Sequence, residues 1–406
     1  MFPYIVVVAV AALVTSIASY AVLRLSRRFS LAPAVRARDV HTTPTPRLGG
    51  IAMFIGVLAA FGIAGTQQEF SALFTDGTSM WALMGACGII AAVGILDDIL
   101  DLDWMIKLAA QLLAAGLLAW NGLQIVSLPF GDVLMVPSPA VNFVLTVFMM
   151  TLVMNAVNFV DGLDGLVAGV AIIANSLFFL YTMILQQQMG RVESVTLASL
   201  IAAILVGICV GFLPFNWHRA KMFMGDTGAL LVGLLMATST VSVTGQLNPA
   251  LLDAKLVIAS YIPILLPIAV LALPLADFTL AVFRRLRAGK SPFTADRQHL
   301  HHRLLDMGHS PVQAVSIFYL GTAVLSVALL LAFTMQSFVW PVAVLVVGSL
   351  ACAALLFFPA SRVRAALAQR GLLPLHPRSV VDSPDQTDSQ RSAHNRADTA
   401  DERITE

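Results

Sequence analysis

Long apolar runs separated by short polar segments make up this chain from its first residues to about position 359. Most runs are close to the roughly 20 residues that an α-helix needs to cross the hydrocarbon core of a bilayer. We place eleven of them near residues 3–23, 48–66, 80–97, 106–121, 141–158, 165–186, 195–215, 228–244, 256–280, 313–334 and 338–359. The pattern predicts an all-α integral membrane protein with about eleven transmembrane helices.

Composition supports this prediction. Hydrophobic residues make up 58% of the chain and charged residues 12%, and the mean hydropathy is +0.85, which excludes a soluble globular protein. The 24 basic residues nearly balance the 23 acidic ones, so nothing indicates a nucleic-acid partner. Cys87, Cys209 and Cys352 all fall inside apolar runs and show no disulfide or metal-ligand spacing.

The basic residues also predict the orientation of the chain in the membrane. If loops alternate sides, 22 of the 24 lysines and arginines fall on one side. Because basic residues concentrate in cytoplasmic loops, the N-terminus is predicted outside and the C-terminus in the cytoplasm. We expect one membrane domain over residues 1–360 and a cytoplasmic tail over 361–406. The tail should be disordered after about residue 374, where branched apolar and aromatic residues almost disappear.

The acidic residues on the predicted cytoplasmic side, outside the tail, are all aspartate. Carboxylates at the ends of membrane helices cost free energy to desolvate unless they are paired or bind a cation. Helix capping and topology can account for about half of them. The remainder predicts one active site on the cytoplasmic face. These residues are Asp39, Asp97, Asp98, Asp101, Asp103, Asp161, Asp164, Asp226, Asp277, Asp296 and Asp306.

A first cluster, GILDDILDLDWMIK, closes the third run. If the helix continues, Asp97 and Asp101 lie four residues apart and their carboxylates share a face. Hard oxygen ligands without nearby thiols or imidazoles suit Mg²⁺, which is usually completed by water and substrate phosphates. The alternative is a solvated, acid-rich loop.

A second cluster, NAVNFVDGLDGLVAG, follows the fifth run. Asn158, Asp161 and Asp164 recur at intervals of three, next to glycines that allow a ligand to approach the backbone closely. The pattern is typical of a helix end that meets a polar ligand. A tight turn between helices, where Asp-Gly pairs are common, is the alternative.

A third cluster, NWHRAKMFMGDTGALLVG, opens the eighth run. Asp226 and Thr227 stand at a predicted helix start, which favours a phosphate carried by a cation. Phe223 is a candidate stacking surface for a planar base. The alternatives are an ordinary N-cap for Asp226 and a lipid-facing side chain for Phe223.

A fourth cluster lies in the loop FRRLRAGKSPFTADRQHLHHRLLDMG. Six basic residues, including Arg297, surround His299, His301 and His302. Phosphate binding explains this composition better than zinc, because no cysteine or second ligand pair is near. Positive-inside topology and attraction to anionic lipid explain the basic residues but not three histidines within four positions.

The motifs DDILD, NFVDGLDG, KMFMGDTG and SPFTADRQHLHH, in that order, resemble the polyprenyl-phosphate N-acetylhexosamine-1-phosphate transferase family over roughly residues 20–310. The loop PFTADRQHLHH is most similar to the WecA/TagO-like branch, which uses UDP-N-acetylglucosamine and undecaprenyl phosphate. The related MraY branch uses a UDP-muramoyl-pentapeptide and typically has an uninterrupted histidine run after a proline.

The resemblance implies a role for each matched residue. Asp97 and Asp98 match an aspartate pair implicated in Mg²⁺ binding and in deprotonating or orienting the lipid phosphate. Asp226 matches a Mg²⁺ ligand, and Lys107 lies where the family tends to place a basic residue. The remaining matches are Asn158, Asp161 and Asp164 for nucleotide binding and catalysis, Phe223 for uracil packing, and His299, His301 and His302 for the sugar and diphosphate.

The implied partners are a UDP-N-acetylhexosamine, an undecaprenyl or decaprenyl phosphate and membrane lipid, with Mg²⁺, or else Mn²⁺, as the cofactor. The resemblance implies a multi-pass protein of the bacterial inner membrane, and a homodimer is one expected assembly. Direct displacement and a covalent phospho-aspartate are both left open. The alternative functions are an MraY-like transferase, an ion-coupled transporter and a non-enzymatic scaffold, although intramembrane acids of transporters tend to lie near the bilayer midplane.

Overall fold

A computed structural model describes residues 1–29, 45–75, 78–130, 133–189, 193–244, 307–335 and 337–357, with a few single positions between them. The described segments belong to one compact unit, Met1–Pro359. The predicted disordered tail lies outside the described residues.

Helices account for nearly all of the described chain, which confirms the all-α prediction. In lipid, a helix satisfies the hydrogen bonds of its own backbone, and this requirement favours helices over open sheets. The helices are α1 Phe2–Arg28, α2 Gly49–Gly65, α3 Ser71–Thr75, α4 Thr78–Leu100, α5 Trp104–Trp120, α6 Pro139–Val160, α7 Leu166–Met189, α8 Glu193–Asn216, α9 Gly225–Thr244, α10 Pro311–Thr334 and α11 Val339–Phe357.

Ten of the eleven predicted spans coincide with helices, and the span placed at 256–280 lies outside the described residues. Eight helices in the described segments are long and apolar enough to cross a membrane, and a ninth span results if α2 is joined to Gln68–Thr75 across a bend of 95°. Helix α5 is apolar but has only 17 residues. The membrane fold is therefore confirmed, while the orientation of the termini stays a prediction.

A short antiparallel hairpin between α5 and α6 was not predicted. Strands β1 (Leu128–Phe130) and β2 (Val133–Met135) pair with Leu128 opposite Met135. Just before β1, the Ser127 hydroxyl donates to the carbonyl of Thr244 at 3.0 Å. This contact ties the start of the hairpin to the C-terminal end of α9.

Helix α9 is the centre of the bundle. Every residue from Thr227 to Thr244 is buried, and α2, α4, α6 and α8 pack around the helix. Hydroxyl groups inside α9 donate to carbonyls of the preceding turn, as Thr238 does to Leu234 at 2.7 Å. Because its neighbours surround α9, Asp226 in its first turn lies among the ends of several other helices.

Candidate active site

The aspartate pair lies at the C-terminal end of α4. The helix does not continue to Asp101, because Asp101 has a φ of 54° and donates its N–H to the Asp97 carbonyl at 2.9 Å. A left-handed residue at this position is a common way to end a helix. The expectation that Asp97 and Asp101 share a helical face is therefore wrong, and Asp101 ends the helix instead.

Asp97 is buried, and both of its carboxylate oxygens have partners. Oδ1 accepts the N–H of Leu102 at 2.9 Å, and Oδ2 lies 3.2 Å from the ammonium of Lys107 on α5. The tight connection between α4 and α5 allows both contacts. The structure thus brings together two predicted site residues that are ten positions apart.

Lys107 also reaches Asp226 at the start of α9. Its Nζ lies 2.9 Å from Asp226 Oδ2, and both side chains are partly exposed. Asn158, on the last turn of α6, hydrogen-bonds to the same carboxylate, and the Asp97 carboxyl is close enough to share a hydrogen bond with it. Side chains from α4, α5 and α6 therefore converge on Asp226 at the start of α9.

Asp161 follows α6 and lies in the electrostatic field of the same cluster. Burial, followed by the negative charges of Asp226 and Asp98, raises the pKa of Asp161 to about 7, and the positive charge of Arg47 opposes this shift. The shift places Asp161 within electrostatic reach of Asp226, Asp98 and Arg47.

Asp164 is buried in the turn before α7 and hydrogen-bonds to the segment that connects α8 to α9. Its Oδ2 lies 3.2 Å from Nδ1 of His218 and accepts the N–H of Ala220 at 3.1 Å. The predicted role in nucleotide binding or catalysis stays a prediction. In this structure Asp164 orients an exposed histidine that the sequence patterns did not single out.

Phe223 lies in a segment that pairs with the chain just before α2. Its N–H donates to the Pro46 carbonyl at 2.9 Å, and its carbonyl accepts the N–H of Gly49 at 3.0 Å. The next pair joins the N–H of Gly50 to the carbonyl of Met224 at 2.8 Å. Two backbone segments thus fix the position of Phe223 beside the start of α9.

Two polar residues around Gly165 were also missed by the sequence patterns. Asn216, buried at the end of α8, accepts the N–H of Gly165 at 3.0 Å and donates to the Met222 carbonyl at 3.1 Å. The hydroxyl of Tyr319 on α10 donates to the Gly165 carbonyl at 2.6 Å. Gly165 has a φ of 76°, which favours glycine, so both contacts fix a turn of unusual geometry. In the sequence, Asn216 could have been found as a polar residue at the end of an apolar run.

The fourth predicted cluster, which comprises Arg297, His299, His301 and His302, lies outside the described residues. In the described segments no three His, Cys, Asp or Glu side chains form a ready metal-ligand set. The carboxylates of Asp97, Asp161 and Asp226 nevertheless supply the hard oxygen donors that Mg²⁺ prefers. These residues fit a cation that binds one or two carboxylates and completes its shell with phosphate oxygens and water.

Known proteins resemble this chain over most of its length. Residues 80–244 match the family described as Glycosyl transferase family 4. A decaprenyl-phosphate N-acetylglucosaminephosphotransferase of Mycobacterium tuberculosis (strain H37Rv) is 39% identical over 319 residues, which cover 78% of this chain and 79% of that protein. A probable undecaprenyl-phosphate N-acetylglucosaminyl 1-phosphate transferase of Bacillus subtilis is 33% identical over 299 residues, 72% of this chain and 74% of the other.

An undecaprenyl-phosphate alpha-N-acetylglucosaminyl 1-phosphate transferase of Escherichia coli (strain K12) is 30% identical over 308 residues, covering 75% of this chain and 77% of that protein. Identity at this level across most of both chains shows that these proteins belong to one family. The chain belongs to the polyprenyl-phosphate N-acetylhexosamine-1-phosphate transferase family, as its motifs predicted.

Proposed function

We propose that this protein transfers N-acetylglucosamine-1-phosphate from UDP-N-acetylglucosamine to a polyprenyl phosphate, with release of UMP. The observation that carries the proposal is the convergence of Asp97, Lys107, Asn158 and Asp226 from four helices at one face of the bundle. The names of the three relatives agree on the acetylated amino sugar and on a polyprenyl phosphate acceptor. A transporter or a scaffold is not favoured by this membership.

The reaction joins two anionic substrates. A phosphate oxygen of the lipid attacks the phosphorus that carries the sugar, a new P–O bond forms, and the bond from that phosphorus to the bridging oxygen breaks. The electron pair of the broken bond stays on the departing UMP. Since the lipid phosphate is largely ionised near neutral pH, positioning and charge compensation contribute more than proton removal.

Several residues of the chain can provide this positioning. Lys107 and Arg47 bring positive charge to the carboxylate cluster, and Asn158 orients Asp226 through a hydrogen bond. We propose Mg²⁺ as the cofactor, held by Asp226 together with Asp97 or Asp161. When bound, this ion would neutralise diphosphate charge. We propose that Phe223 and the turn around Asp164 bind the nucleotide. We propose that the loop with His299, His301 and His302 binds the sugar and the diphosphate.

The site requires a membrane surface that a soluble nucleotide sugar and a lipid can both reach. We propose the cytoplasmic face of a bacterial inner membrane, in line with the positive-inside orientation. The homodimer implied by the resemblance stays a prediction, which molar-mass measurement in detergent would test.

The test is UMP release by purified protein with Mg²⁺, UDP-N-acetylglucosamine and decaprenyl or undecaprenyl phosphate. Asp226→Asn should remove nearly all activity. Asp103→Asn is the matched control, because exposed Asp103 caps α5 through the N–H of Met105 at 2.8 Å, and asparagine is an equally good cap. This control should retain activity.

A panel of nucleotide sugars tests the identity of the donor. The rate of UMP release should be higher with UDP-N-acetylglucosamine than with UDP-N-acetylgalactosamine, and UDP-muramoyl-pentapeptide should give no UMP. Preference for the muramoyl-pentapeptide would support the MraY-like alternative. If folded protein releases no UMP from any UDP-N-acetylhexosamine, the proposed function is wrong.

A further inference from the structure

Asp98 meets the first turn of α9, although it belongs to α4. Its Oδ1 accepts the backbone N–H of Asp226 at 2.8 Å, and its Oδ2 accepts the backbone N–H of Thr227 at 3.2 Å. The hydroxyl of Thr227 donates to the same Oδ2 at 2.6 Å. Three hydrogen bonds therefore join this one carboxylate to two consecutive residues of another helix.

These are the bonds that a helix-capping side chain makes. The first N–H groups of a helix have no partner within the helix, and an N-cap side chain normally accepts from the second or third of them. Helix α9 begins at Gly225, so Asp226 and Thr227 are its second and third residues. The residue before the helix is Met224, whose side chain has no carboxylate or hydroxyl with which to cap it. Asp98 supplies the acceptor from α4, and its negative charge also suits the positive end of the helix dipole.

Close packing holds the carboxylate of Asp98 in this position. Gly225 has a φ of 72°, and a Cβ placed on it would lie 2.6 Å from both carboxylate oxygens of Asp98. One turn before Asp98, a Cβ on Gly94 would lie 2.5 Å from Cα of Thr227. The chain has glycine at both points where a side chain would push Asp98 away from α9.

The cap and the cluster of Lys107 and Asn158 act on different parts of Asp226. Asp98 holds its backbone N–H, whereas Lys107 and Asn158 contact its carboxylate. The direction in which the Asp226 carboxylate points depends on where α9 begins. We infer that Asp98 is a positioning residue, which caps α9 from α4 and thereby places Asp226, and that it does not itself contact the reacting groups. This inference rests on the proposed function.

A double-mutant cycle between Asp98→Asn and Thr227→Val tests the inference. Thr227→Val keeps the shape of the side chain but removes the hydroxyl that donates to Asp98. Loss of one hydrogen bond to a charged group should lower kcat for UMP release about tenfold or more, with KM for both substrates little changed. Thr227→Ser keeps the hydroxyl and should restore most of that loss. The kcat of the double variant should be no more than about threefold below that of Asp98→Asn, because both changes break the same contact.

Other results would overturn the inference. If Asp98 touched substrate or metal directly, Asp98→Asn would raise KM or the Mg²⁺ concentration needed for half-maximal rate. Effects on kcat that multiply in the double variant would show that Asp98 and Thr227 act independently, which the proposed cap excludes. If Asp98→Asn does not fold, the comparison of Thr227→Val with Thr227→Ser decides alone, and wild-type kcat in Thr227→Val refutes the cap. A wild-type protein without UMP release would refute the proposed function, whereas an active protein with a multiplicative cycle would refute this inference only.

Discussion

Lys107 and Asp226 form an ion pair of 2.9 Å between residues that are 119 positions apart in the chain. The contact connects the first turn of α5 to the first turn of α9. The same ammonium lies 3.2 Å from Asp97, so one cation pairs with two carboxylates that would otherwise repel each other. The pair is therefore central to the charge balance of the proposed active site.

Lys107→Gln should lower kcat for UMP release by at least about tenfold, because Asp97 and Asp226 would lose their shared counter-charge and separate. It should also lower the free energy of unfolding by roughly 1–3 kcal/mol, less than a fully buried pair would lose. Steady-state kinetics and thermal unfolding in detergent measure both effects. Lys107→Arg keeps the charge and is the matched control. Equal rates for Lys107→Gln and wild type would contradict the prediction.

The raised pKa of Asp161 predicts a dependence of stability on pH. In the unfolded chain this carboxyl releases its proton near 3.8, whereas in the folded protein it does so near 7. The folded protein therefore binds more protons between these values, and the contribution of Asp161 to stability should fall as the pH rises from about 4 to 7 and level off above that.

Asp161→Asn removes this titrating group. Without divalent cations, the melting temperature of Asp161→Asn minus that of the wild type should increase as the pH rises from 5 to 8. Thermal unfolding at several pH values measures this difference. A pH-independent difference for Asp161→Asn would refute the assigned cause.

An amide pair, formed by buried Gln111 and half-buried Asn155, lies one turn deeper than the charged cluster. Nδ2 of Asn155 on α6 donates to Oε1 of Gln111 on α5 at 2.5 Å. Gln111 is four residues after Lys107 and Asn155 is three before Asn158, so each amide lies on the same helix face as a cluster residue. The pair fixes the relative position of the two helices beneath the site.

Gln111→Leu should destabilise the protein by about 1–3 kcal/mol, because it leaves polar atoms of Asn155 without their partner, and it should lower kcat. Adding Asn155→Leu should recover part of the stability but not the rate. Gln186→Leu is a control on the far end of α7, where Gln186 donates to Ser199 at 3.0 Å. It should affect stability without lowering kcat. A wild-type rate in Gln111→Leu would show that the pair does not position the site.

Most of the fold could be predicted because spans in a bilayer are apolar over a fixed length. The site was predicted in outline for a similar reason: charges such as Asp97 and Asp226 are costly at helix ends and stand out against apolar runs. The ordered motifs then indicated that these charges belong together. Sequence spacing alone did not show that Lys107 lies between the two carboxylates.

Other parts of the site depend on tertiary contacts that leave little trace in the sequence. Asp98 was predicted as a metal ligand or catalytic group, and its hydrogen bonds to the first turn of α9 could not be predicted, because they depend on how α4 packs against that helix. Asn216 and Tyr319 are single polar residues in apolar runs, and only packing brings both to Gly165. The end of α4 was misjudged because aspartate can adopt a positive φ without the glycine that usually marks such a turn.

The close contact between α4 and α9 gives a last prediction with a control on the same helix. Gly94→Ala should destabilise the protein by about 1–3 kcal/mol, since the new Cβ would lie 2.5 Å from Cα of Thr227, part of the backbone of a central helix that cannot easily yield. Gly88→Ala adds the same methyl group where nothing lies within 4 Å, and it should be neutral or slightly stabilising because alanine favours helix. Melting temperature and UMP release measure both variants. If Gly94→Ala and Gly88→Ala behave alike, the helices do not approach as closely as described, and the capping of α9 by Asp98 loses its structural basis.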